Sequence, residues 1–182
     1  MGLYIFIGII VIIIIYILVL FNVFVKLNNK VKEAFSTMDV YLKKRWDLIP
    51  NLVETVKGYA KHEKNTLNSV INLKNNSYDT MSLNDKLKTN EELVSGINKI
   101  MLLAEKYPEL KASDNFRNLS KQLVKIEDDI ANSRKYYNGT VRLFNNKVEL
   151  FPNNIFAKLF GFQSKPMFVT KDEEKENIKV EL

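Results

Sequence analysis

The chain of 182 residues contains no cysteine, which excludes a disulfide framework, a thiolate metal site and a thiol nucleophile. It has a single histidine, His62, so no two-histidine metal motif can be assembled within one chain. Only six glycines and four prolines are present, which leaves few turns and favours long helices over a many-stranded sheet. Charge is missing from the first 25 residues altogether. The whole net charge of +6 lies beyond them, which suits a domain facing anionic headgroups or solvent.

What is present begins with an apolar run, GLYIFIGIIVIIIIYILVLFNVFV, over residues 2–25, with Asn22 as its only strongly polar side chain. As a helix it is about 35 Å long, enough to cross a hydrocarbon core of about 30 Å. Insertion energies of roughly −0.3 to −0.6 kcal/mol per central apolar residue outweigh one Asn near the edge. The run is too long for the apolar region of a signal peptide. No basic segment precedes it and no small-residue cleavage pattern follows, so it is expected to stay as an anchor. Lys26, Lys30, Lys32, Lys43, Lys44 and Arg45 follow it, and the positive-inside rule then predicts the N-terminus outside and the domain in the cytoplasm.

Beyond the anchor the chain reads as all-α. Apolar residues recur at Val31, Phe35, Met38, Leu42, Ile49, Leu52, Val56, Tyr59, Val70 and Leu73, alternating steps of four and three. A first helix is expected to continue without a break from the membrane segment, projecting the domain as a rod. Pro50 predicts a kink near 46–50, or a restart with Asp47 as N-cap. Residues 75–88, rich in Asn, Asp and Ser, read as a loop. A second helix is expected over 90–107, lined by Leu93, Ile97, Ile100, Met101 and Ala104 and stopped before Pro108. A third starts at Ser113 or Asp114. It carries Phe116, Leu119, Leu123, Ile126, Ile130, Tyr137, Val141, Phe144, Val148 and Phe151 through Gly139 to Pro152. A short fourth follows at 153–162, closed by Gly161. The expected domains are a transmembrane anchor (1–25), a helical bundle (26–168) and a charged, disordered tail (169–182).

The segment VKEAFSTMDVYLKKRWDLIPNLVETVKGYAKHE at 31–63 resembles the signature of the LemA family. LAEKYPELKASDNFRNL at 103–119, IEDDIANSRKYYNGTV at 126–141 and FPNNIFAKLFGF at 151–162 are similar to its further blocks, in order. Gly139 departs from the pattern, where a better helix former would be expected. The resemblance implies an antiparallel bundle of about four helices, with helices one and three long, in a single-pass bacterial membrane protein whose N-terminus lies outside. It supplies no catalytic residues.

No catalytic, cofactor or metal set assembles from the residues. His62-Glu63 begins like a zinc-protease motif, but Thr66 stands where the second histidine is needed. Lys43-Lys44-Arg45-Trp46 mixes charge with an aromatic, yet no nucleic-acid motif surrounds it, and nucleic acid is not an expected partner. Polar residues on the apolar stripes say more. Arg45 falls on the stripe of helix one. Arg134, Tyr137 and Asn138 lie together on helix three, one heptad beyond Glu127. A buried charge requires a partner, and the expected pair joins Arg134 to Asp47 or Glu54. Phe156, Phe160, Phe162 and Phe168, with Phe151, either pack onto the end of the bundle or form an interaction patch. If helix three ran parallel to helix one, this patch would lie far from the chain's own bilayer, and an oligomer contact would be its alternative use. The leading expectation is a non-enzymatic membrane scaffold that self-associates or recruits unidentified membrane or cytoplasmic proteins. The alternatives are a ligand-binding or catalytic domain built around Arg134 and Tyr137, and a surface-exposed binding protein of reversed topology.

Overall fold

The computed structural model describes residues 1–73 and 78–168, so the expected tail at 169–182 falls outside the described residues. Among the described residues all regular structure is helical, as six α-helices and a 3₁₀ turn at Tyr78–Thr80: α1 Gly2–Lys57, α2 Lys64–Leu73, α3 Leu83–Lys106, α4 Pro108–Ala112, α5 Asp114–Glu149 and α6 Asn153–Leu159. The chain divides into two compact units. Met1–Ser36 with Arg134–Leu182 forms the first unit, and Thr37–Ser133 forms the second unit. Helices α1 and α5 each contribute to both.

Helix α1 runs unbroken for 56 residues with Pro50 inside it, so the expected restart at Asp47 does not occur. The reason is burial on either side of the proline. Ile49, Leu52, Val53 and Val56 are almost fully enclosed. Four such side chains contribute about 1.5–3 kcal/mol each, against about 3 kcal/mol lost to one internal proline. The apolar run at the N-terminal end is long and apolar enough to cross a membrane, and its side chains from Leu3 to Val19 are mostly exposed around the helix.

The stripe expected to carry helix one through Leu73 is divided. Helix α1 stops at Lys57, before Gly58, a poor helix former. A turn in which the Glu63 N–H donates to the Ala60 carbonyl leads into α2. Tyr59 is exposed, while Leu67 and Val70 of α2 are buried. The Gly96 backbone of α3 meets Val70 so closely that an added Cβ would stand 2.9 Å from a Val70 methyl.

Helix α3 begins seven residues before the expected Asn90. Ser82 supplies the signal, its hydroxyl accepting the Asp85 N–H at 3.2 Å and donating to the Asp85 carboxylate at 2.6 Å. The expected loop is therefore shortened from its far end. Pro108 does not only end α3; it opens the five-residue α4 as its first residue, where the missing N–H costs nothing. Helix α5 matches its expected start and runs for 36 residues through Gly139, whose missing side chain faces open space. Its residues Phe116, Leu123, Ile130, Tyr137, Val141, Phe144 and Val148 are buried, and Phe151, expected on the same stripe, is exposed.

Helix α6 ends in a turn that requires glycine. The Phe162 N–H donates to the Ala157 carbonyl and the Gly161 N–H to the Lys158 carbonyl, with Gly161 at φ 75°. This is the paired C-terminal capping motif in which a residue with positive φ follows the helix. It sends the chain back across the phenylalanines it has just laid down.

Candidate functional site

Two buried polar arrangements stand out, one in each unit. In the second unit the stripe of α1 carries Arg45, only 1% exposed. Its Nη1 donates to Glu127 Oε1 of α5 at 2.6 Å and its Nη2 to the Asn90 carbonyl of α3 at 3.4 Å. Among the described residues, the Arg45 Nε and the Asn90 side-chain oxygen have no hydrogen-bond partner. Arg45 thus ties three helices together through one charge. The basic cluster to which it belongs in sequence is not a surface patch, because Arg45 and Trp46 are both buried.

The pairing expected for Arg134 is replaced by other contacts. Asp47 is exposed and pairs with Lys43 at 3.5 Å; Glu54 is exposed and pairs with Lys57 at 2.7 Å. Neither belongs to a polar core. Both acids sit off the buried stripe, where a lysine three or four residues away on the same helix reaches them. The Arg134 guanidinium lies 5.4 Å from the ring centre of Phe168, and Glu127 pairs with Arg45.

In the first unit, Tyr137 and Asn138 hold the chain that follows α6. The Tyr137 hydroxyl donates to the Pro166 carbonyl at 3.0 Å. Asn138 donates to the Phe168 carbonyl and accepts the Phe168 N–H, both at 2.8 Å. One heptad later Asn145 does the same for Lys165, donating to its carbonyl at 2.9 Å and accepting its N–H at 2.8 Å. Each amide thus satisfies both backbone groups of one residue, as a neighbouring strand would. Ser164 adds a bond to Glu149 at 2.6 Å. Burial raises the pKa of Tyr137, keeping its hydroxyl a donor.

The phenylalanines pack back onto α1. Phe156 meets Tyr16 at 6.1 Å between ring centres, and Phe160 meets Phe21 at 5.1 Å. Phe162 meets Phe21, Phe24 and Phe144. Phe168 is buried. Phe35 meets Tyr137 at 6.0 Å, while Phe144, further along α5, reaches Phe24, earlier on α1, through Phe162, so within this unit α5 runs antiparallel to α1. The parallel arrangement, which would have carried residue 150 away from the apolar end of α1, is overturned. Helix α6 lies beside Tyr16–Phe24, and the Tyr16 hydroxyl donates to Asn153 Oδ1 at 3.2 Å.

Several of these partners are not evident from the sequence. Asn145 carried a signal, since it follows Asn138 by seven residues. Asn90 and Asn153 carried none. A further cluster in the second unit joins Asp39, Tyr78 and Lys86. Tyr78 donates to Asp39 at 2.6 Å, Lys86 pairs with the same carboxylate at 2.8 Å and covers the Tyr78 ring, and Trp46 packs against that ring at 5.4 Å. Burial, then the bond to Asp39, pushes the Tyr78 hydroxyl pKa well above the usual phenol range. His62 is exposed and lines an open depression with Lys57, Lys61, Leu67 and Asn68. Among the described residues no group of three or more His, Asp or Glu is placed to hold a metal ion.

An all-helical fold with one long apolar helix, whose buried polar groups tie helix to helix and chain to helix, defines a membrane-associated helical protein. The model of the LemA family matches residues 34–182, and the chain belongs to that family. Protein LemA of Metamycoplasma hominis is 26% identical over 155 residues, covering 82% of this chain and 69% of that protein. Magnetosome protein MamQ 2 of Paramagnetospirillum magneticum is 29% identical over 77 residues, and magnetosome protein MamQ of Magnetospirillum gryphiswaldense is 20% identical over 181 residues. These matches cover 42% and 85% of this chain, and the chain spans only 28% and 66% of those two proteins' own lengths.

Proposed function

We propose that the chain is a non-enzymatic, membrane-anchored helical scaffold that self-associates or recruits protein partners at the cytoplasmic face of a bacterial membrane. One observation carries the reading. On α5, Tyr136 and Leu143 stand seven residues apart and are both more than half exposed. An exposed apolar row at that spacing is what a second helix packs against. The arrangement of the polar residues supports the same reading. Arg45, Glu127, Tyr137 and Asn138 are engaged in holding the fold, which favours a scaffold over a ligand-binding or catalytic role for Arg134 and Tyr137. The cytoplasmic placement rests on the lysines that follow the apolar run.

The chain has no cysteine, so Leu143→Cys provides a unique crosslinking site. Treating native membranes with a bifunctional thiol reagent should yield a dimer, and a general amine crosslinker should capture any other protein seated on the row. A strictly monomeric protein with nothing co-purifying would refute the scaffold. Protease treatment of intact cells should leave residues 26–168 uncut; digestion from outside would favour the reversed topology.

A further inference from the structure

A second apolar row lies at the turn between α5 and α6. Phe151, Ile155 and Leu159 are spaced by four residues and are 79%, 58% and 74% exposed. The opposite side of α6 is occupied: Asn153 and Ala157 are buried, and Phe156 and Phe160 pack on α1. What covers the outer row follows from where α6 is fastened. Its contacts are with Tyr16, Phe21 and, through Phe162, Phe24, all of which precede the first charge of the chain at Lys26. Tyr16 lies ten residues before Lys26, about 15 Å along the helix. A hydrocarbon core of about 30 Å counted from Gly2 ends near residue 21.

The order of contacts also sets the direction of the hairpin. Phe35 meets Tyr137, Phe24 meets Phe162, and Tyr16 meets Phe156 and bonds Asn153. Helix α5 therefore descends along α1 towards the apolar end, turns at Leu150–Pro152, and α6 climbs back. The turn lies at the level of the uncharged run. Its polar side chain on the inner face, Asn153, is satisfied by Tyr16, as a lipid-contacting element requires. Residues 150–168 contain Lys158 and Lys165 and no acid. Lys147 and Glu149 lie just before the turn, and the Glu149 carboxylate is bonded by Ser164. Charge at the flanks with an apolar tip suits shallow insertion, with lysines reaching anionic headgroups.

We propose that the α5–α6 turn is a second membrane contact: Phe151, Ile155 and Leu159 enter the domain-side leaflet of the bilayer that α1 crosses. This rests on α1 being the anchor, and the test separates the two. Single cysteines are introduced as Phe151→Cys, Leu159→Cys, Ile10→Cys and Ser95→Cys, labelled with bimane, and the full chain is reconstituted in nanodiscs containing anionic lipid. Quenching is compared between lipids carrying a nitroxide on the acyl chain and aqueous iodide. Labels at 151 and 159 should resemble the label at 10, quenched several-fold more by lipid than the label at 95, which iodide should reach. If 151 and 159 behave like 95 while 10 is lipid-quenched, the second contact is overturned and the anchor stands. If 10 is also reached by iodide, the anchor itself fails. Shielding of 151 and 159 from both quenchers would overturn the proposal in favour of a second copy seated on the row. Both positions are largely exposed, so their replacement leaves the packed side of α6 intact.

Discussion

The two units bury polarity in opposite ways. The first unit uses neutral amides, and each of Asn138 and Asn145 matches both backbone groups of one residue. The second unit buries a full charge with one carboxylate and one carbonyl, leaving the Arg45 Nε and the Asn90 oxygen unmatched. A neutral clamp works by saturating a segment that has no strand to pair with. A buried guanidinium works by penalty: any arrangement that separates it from Glu127 strands a charge in an apolar interior. The first fastens a segment and the second selects a register.

That contrast is broken most directly at Glu127. Glu127→Ala should destabilise the second unit by about 3 kcal/mol, toward the low end for a broken buried pair because the Glu127 carboxylate is partly solvated. Arg45→Met together with Glu127→Leu should recover most of that loss, since it removes the charge as well as its partner. Urea unfolding of the reconstituted chain, followed by circular dichroism, measures both. If Glu127→Ala is neutral, the register role of Arg45 is lost with it.

The clamps predict a smaller and more local effect. Asn138→Ala should cost about 1–2 kcal/mol and raise hydrogen exchange at the Phe168 amide, leaving Lys165 protected; Asn145→Ala should do the reverse. Equal deprotection of both amides by either change would mean that the segment is held as one block, and the residue-by-residue reading would fall.

The smallest effect is confined to alkaline pH. The Tyr78 pKa is raised in the folded chain, so the native state keeps a proton that the unfolded chain releases near its ordinary value of about 10. The resulting stability is fully present below that pH and is lost as pH rises through the higher folded value. Tyr78→Phe should therefore flatten the alkaline limb of a stability-against-pH curve, while the wild type loses stability from about pH 10 upward. An unchanged alkaline limb would show that the Tyr78 pKa is not raised by folding.

Much of the architecture was legible because helical periodicity is a local property. The start of α5 at Asp114, its passage through Gly139 and the closing glycine of α6 all follow from spacing and turn chemistry. Gly58 was harder to read, because the seven-residue pattern continues numerically past it although the helix does not. Arg45 was visible as a charge on an apolar stripe, but its partner was not. Asp47, Glu54 and Glu127 are equivalent in type, and only the packing of α5 against α1 within the second unit selects Glu127.

By itself, the sequence determined that the chain is helical, that its first helix opens with an apolar run long enough for a bilayer, and that it carries the family's blocks in order. Those properties depend on residue type and on spacing within a few turns. Tertiary structure decided that α5 returns along α1, that Asn138 and Asn145 grip the chain after α6, and that Phe156 and Phe160 lie beside Tyr16 and Phe21. Each of these joins residues more than a dozen positions apart, and most join residues more than a hundred apart. No local pattern encodes the direction of a returning helix; that is set by which faces can be buried together.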